Sequence, residues 1–149
     1  MNTLATNTNR GISTHVSRGS PISAVKNISE LAGRILLSVL FLLSGVGKIG
    51  AYAATAAYMS SVGVPSVLLP VVIATEVLGA TAVILGWQTR ISAFLLAGYS
   101  LLTALVFHSS FADQIEMIMF FKNVSIVGGF LLLVVNGAGQ LSLDRRFAK

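Results

Sequence analysis

"VIATEVLGATAVILG", residues 72–86, sets one acid, Glu76, inside an otherwise unbroken run of apolar and small residues. A run of that length and apolarity has two settings, the core of a large protein or a lipid bilayer. The rest of the chain selects the bilayer. A hydrocarbon core about 30 Å thick takes roughly 20 mostly apolar residues of helix, and four stretches qualify, at about 31–50, 67–87, 91–109 and 119–137. Of the 149 residues 54% are apolar and 10% charged, where an ordinary soluble domain carries about 25% charged residues. The fold class expected is an all-α membrane protein, a bundle of four transmembrane helices over residues 30–144. Residues 1–29, polar and without sustained periodicity, read as a disordered cytoplasmic tail, and residues 145–149 as a short basic one.

The net charge of +5 could point to nucleic acid, but the positions of the charges point to topology. Eight of the ten basic residues (Arg10, Arg18, Lys26, Arg34, Arg90, Arg145, Arg146 and Lys149) lie before the first span, just inside it, in the second turn, or after the last span. By the positive-inside rule both termini and the "GWQTR" turn face the cytoplasm, and the 51–66 and 109–118 segments face outward. No nucleic-acid partner is expected; the lipid bilayer is the partner. In the first span "RILLSVLFLLSGVG" followed by "AYA" resembles a cleavable signal. The long preceding region and Lys48 argue for a retained span. Its start is expected near Asn27, which with Glu30 forms a capping-box pattern.

The chain has no cysteine, which removes disulfides, thiol relays and thiolate-held metals. Its two histidines, His15 and His108, lie at remote positions, and no metal site is expected.

The polar residues within the spans are therefore few and informative. Arg34, Ser38, Phe41, Gly45 and Lys48 recur at spacings of four and three and form one face of the first helix. Leu36, Leu40 and Leu43 suit lipid. Arg90, Phe94, Ala97, Leu101, Ala104 and His108 are expected to share a face of the third helix. Lys122 and Asn123 open the fourth helix, and Gly128–Gly129 are expected at a helix contact. The outer half of the bundle then gathers Lys48, His108, Lys122 and Asn123 above Glu76, while Arg34 and Arg90 sit at the cytoplasmic side.

An ionised carboxylate alone at mid-bilayer costs several kcal/mol. Glu76 must be protonated or paired with a cation from a neighbouring helix. Lys48 is the best-placed partner and Lys122 the second. A pair of that kind is either a packing bridge without chemistry or part of a ligand-binding or proton-handling pocket.

"GRILLSVLFLLSGVGKI" (33–49), "LGATAVILGWQTRISAFLLAGYSLLTALVFH" (78–108) and "FFKNVSIVGGFLLLVVNGAGQLSLD" (120–144) together resemble the DoxX family of small bacterial inner-membrane proteins. The ordered set carries the resemblance: Arg and Gly-Lys bracketing span one, Glu in span two, Gly-x-x-x-Arg in the turn, Phe-His closing span three, Lys-Asn opening span four and Leu-Ser-Leu-Asp after it. The family is similar to membrane subunits of thiosulfate:quinone oxidoreductases and to proteins linked to quinol oxidases. The resemblance implies a quinone as the non-covalent cofactor or substrate and a redox partner subunit. Persulfide chemistry needs a cysteine that this chain lacks. Three readings stay open: a quinone-interacting component of an oxidoreductase system, a small proton-coupled transporter, and a membrane scaffold. Whether the chain is an enzyme, and its oligomeric state, are also open.

Overall fold

The computed structural model describes residues 21–148. The expectation of disorder for residues 1–20 lies outside the described residues, as do His15 and Lys149. Six α-helices follow one another: α1 Pro21–Gly50, α2 Tyr52–Ser61, α3 Leu69–Leu85, α4 Thr89–Phe107, α5 Gln114–Asn136 and α6 Leu143–Phe147, with a 3₁₀ turn at Ser66–Leu68 leading into α3. No strand occurs among the described residues. Four segments, Pro21–Gly50, Ser66–Leu85, Thr89–Phe107 and Gln114–Asn136, are long and apolar enough to span a bilayer. These are the four spans expected, with three differences in their ends.

The first difference is the start of α1. It begins at Pro21, a residue suited to a first helical turn because its missing N–H has no partner to lose there. Asn27 and Glu30 therefore lie inside the helix and do not cap it. Glu30 instead faces Lys26 one turn earlier, at 3.8 Å. The second is the 51–66 segment, which is not a plain loop. Its alanine-rich part forms α2, which Met59 anchors by its burial. The third is the start of the last span. α5 begins at Gln114, capped by the Asp113 carboxylate, which accepts from the Ile115 N–H at 2.7 Å and more weakly from that of Glu116. Lys122 and Asn123 are thus two turns inside the helix and do not open it.

The helices pack through small residues. A side chain at Gly45 would come within 2.7 Å of Val77 Cγ2 and 3.0 Å of Glu76 Cβ, so α1 and α3 meet at closer range than any other residue would allow. Gly79 seats Leu96 of α4, and Gly129 of α5 seats Leu37 of α1. Gly128, expected beside Gly129 at a contact, faces open space instead, since adjacent helical residues point about 100° apart. Phe41, Ala80, Val83, Ala93, Leu96, Ala97 and Phe130 form the core at mid-bundle.

Along α1 the buried residues are Arg34, Ser38, Phe41 and Gly45, the face expected, and Leu36, Leu40 and Leu43 point outward. The face of α4 differs from expectation. Its buried residues are Thr89, Ser92, Ala93, Leu96, Ala97, Ser100 and Ala104, while Phe94 and Leu101 face outward. In lipid the large apolar residues have no reason to hide, and the small and polar ones turn inward.

Candidate functional site

Glu76 sits ten residues from Ser66 and nine from Leu85, so roughly 14–15 Å from either end of its span. It is 2% exposed. The Gly45 contact brings α1 against it so closely that Lys48, one turn further along, reaches both carboxylate oxygens at 2.9 Å. Ser44 donates to Oε1 at 3.1 Å and in turn accepts from Lys48 at 2.6 Å. From α4 the Tyr99 hydroxyl donates to the same Oε1 at 2.7 Å. Oε1 thus takes three donors. Oε2 takes only the lysine and keeps accepting capacity for one more.

This pair borders a cavity of about 320 Å³. Phe41, with Tyr99 and Phe130 set edge-on at 6.2 and 5.4 Å between ring centroids, closes it toward the Arg34 end of the bundle. Leu40 and Val72 supply apolar wall. Thr55, Tyr58 and Met59 of α2 lie over its other end, where Tyr58 stacks on Phe107 at 5.7 Å. A cavity of this size, apolar with a few convergent polar groups, is the usual form of a small-molecule site.

Lys48, Glu76, His108, Lys122 and Asn123, the residues singled out in the sequence for the outer half, all line this one cavity. Their engagements differ. His108 Nδ1 lies 2.7 Å from Glu116 Oε2 at the first turn of α5. Lys122 contacts the Met119 sulfur at 3.1 Å. Asn123 is committed to packing: its Oδ1 accepts from Ser100 on α4 at 3.1 Å, and its Nδ2 donates to the Met119 carbonyl at 2.9 Å. Ser44, Tyr99 and Glu116 were not marked as partners in the sequence. The spacing of Ser44 four residues before Lys48 was a usable signal, whereas Tyr99 and Glu116 depend on how the helices are set against each other.

Arg34 and Arg90 lie at the opposite end. Arg34, 1% exposed, donates to the Leu141 carbonyl and, at 3.5 Å, to that of Val83. Its guanidinium occupies the space beside Gly86, whose φ of +70° turns the chain from α3 toward α4. Arg90 lies against the backbone of Gly137. Asp144 completes this end by accepting from the N–H groups of Gln88 at 2.7 Å and Thr89 at 2.9 Å, capping α4 from across the chain. The Leu-Ser-Leu-Asp segment is thereby a structural latch, and neither arginine faces the cavity.

A family described as DoxX matches residues 29–109. Inner membrane protein YqjF of Escherichia coli (strain K12) is 46% identical over 125 residues, a match covering 84% of this chain and 96% of that protein. Inner membrane protein YphA of the same organism is 39% identical over 130 residues, covering 83% and 93%. No solved structure matches the chain.

Proposed function

The chain belongs to the DoxX family and is a multi-pass protein of the inner membrane, and from that premise we propose that its cavity binds a quinone or quinol, as the quinone-interacting membrane component of an oxidoreductase system. One observation carries the reading: a mid-span carboxylate, paired and buried, borders an apolar-walled cavity within the depth of the bilayer. Intramembrane ionisable groups are costly and tend to be kept for function.

The flat ring enters from the lipid phase and lies against Phe41, Leu40 and Val72. Interconversion of quinone and quinol moves two electrons and two protons. The electrons pass to or from a redox partner subunit. The protons are held by this chain, with Glu76 Oε2 as the acceptor nearest the ring hydroxyl and His108 as a second titratable group in the lining. Lys48 keeps Glu76 ionised and in place until a proton arrives. Both termini and the turn at 86–90 face the cytoplasm by the distribution of basic residues, which sets the α2-covered end outward.

A proton-coupled transporter would need its carboxylate reachable from both sides. The layer of Phe41, Ala80, Val83, Leu96 and Phe130 between Glu76 and the Arg34 end argues for access from one side. A scaffold without chemistry is favoured by one feature, the three donors already on Oε1.

The test is a titration of short-chain ubiquinone into the protein in lipid nanodiscs, corrected for partition into protein-free discs. Saturable binding at one site per chain is expected. It should be lost in Thr103→Leu, which fills the cavity wall from α4 without touching the Glu76 pair, while melting is unchanged. Partition without saturation would contradict the reading and leave the scaffold.

A further inference from the structure

The cavity has an unbalanced charge. Lys122 lies eight residues past Gln114, about 12 Å along α5, and therefore well inside the span. Its ammonium lines the cavity and bonds only to the Met119 thioether, which carries no charge. An ammonium at that depth calls for a counter-ion.

The chain cannot supply one. It contains five carboxylate side chains, and all five are in use elsewhere. Glu30 faces Lys26 near the other end. Glu76 is held by Lys48, Ser44 and Tyr99. Asp113 caps α5, Glu116 pairs with His108, and Asp144 caps α4. The Lys48 ammonium, for its part, is spent on Glu76 and Ser44. The anion that completes the cavity must come with the occupant, and its place is at Lys122.

We infer that the occupant carries a single anionic group seated on Lys122, so that the site selects an acidic ring, bound as its anion, over a neutral one. The inference rests on the quinone reading and narrows its substrate class to rings bearing an ionised hydroxyl. It makes Lys122 the specificity-determining residue, separate from the proton-handling pair at Glu76 and Lys48. Charge-assisted hydrogen bonds in a water-poor site are the strong ones, and the preference should be correspondingly large.

Two probes of the same size separate charge from shape: 2-hydroxy-1,4-naphthoquinone, ionised at neutral pH, and its 2-methoxy ether, which is neutral. In nanodiscs of zwitterionic lipid, with partition subtracted, the hydroxy compound should bind about tenfold tighter than the ether. In Lys122→Gln that ratio should fall to about one, and in Lys122→Arg it should persist, both proteins being checked for unchanged melting. Equal affinities in the unaltered protein, or a preference that survives Lys122→Gln, would overturn the inference. A lipid phosphate is the other source of an anion. If phosphatidylglycerol in the discs abolishes the preference of the unaltered protein, Lys122 serves the lipid and the inference fails. Binding of the ether and of short-chain ubiquinone without any anion preference would sink this inference alone, whereas no saturable binding of any quinone would remove the quinone reading itself.

Discussion

Lys48→Met is expected to destabilise the folded bundle by about 3–5 kcal/mol, the usual cost of removing one partner from a buried ion pair. It leaves a Glu76 carboxylate, 2% exposed, with only the Ser44 and Tyr99 hydroxyls. Glu76→Gln should cost less. The amide keeps an acceptor for Ser44 and Tyr99, and the Lys48 side chain, 23% exposed, can turn toward the mouth of the cavity. Combining the two changes should recover much of the lysine loss, because no charge is then stranded. Thermal unfolding of the four proteins in one detergent gives the coupling energy directly. A Lys48→Met protein within about 1 kcal/mol of the original would contradict a pair that holds α1 to α3. The same proteins also distinguish the bridge from the pocket. Glu76→Gln, which keeps the shape and removes titration, should bind quinone while losing turnover with the redox partner.

Arg34→Met should be comparably damaging, at about 3–5 kcal/mol, for a different reason. The guanidinium is the only described group that ties the Leu141 carbonyl of the C-terminal segment to the end of α3 at Val83. Its loss strands both acceptors and frees the latch. Hydrogen exchange should rise first across 138–147 and then at the N–H groups of Gln88 and Thr89, as Asp144 leaves them. Arg34→Lys should rescue only part, since a single ammonium cannot reproduce the planar fork. Asp144 gives the pH dependence its sign. Burial alone would raise its carboxyl, but the bonds from Thr89 and Gln88 and the Arg34 charge outweigh burial and hold it below the ordinary carboxylate value. Its ionised form therefore contributes stability at neutral pH, lost as pH falls through that lowered value. Without Arg34 the value rises, and acid loosening of the latch should begin at a higher pH. Unchanged exchange at 138–147 would mean that the segment is held by something other than Arg34.

The spans were legible because their signal is local: length and apolarity suffice, and Glu76, Lys48 and Arg34 stood out against them as charges that had to be resolved. The face of α1 was legible too, since Arg34, Ser38, Phe41 and Gly45 repeat with the helical period. The face of α4 was misread by following Phe94 and Leu101, which is the habit of soluble proteins; in lipid, Thr89, Ser92 and Ser100 mark the inside. The start of α5 carried its own signal in Asp113 and Glu116, an acid followed three residues later by a second acid at a helix entry. Asn27 and Glu30 show the opposite failure, a pattern that resembles a cap inside a helix that continues through it. The Tyr99 bond to Glu76 was not legible. It depends on the register between α3 and α4, which Gly79 and Leu96 set through packing.

Photolabelling with an azido-quinone in native membranes tests the central claim most directly, that the cavity beside Glu76 is a quinone site. Mapped by mass spectrometry, the label should fall on the segments lining the cavity, 40–48, 72–76 and 99–108, and excess unlabelled quinone should suppress it there. Labelling spread over the lipid-facing residues Leu36, Leu43, Leu78 and Phe94, with no suppression by competing quinone, would contradict it.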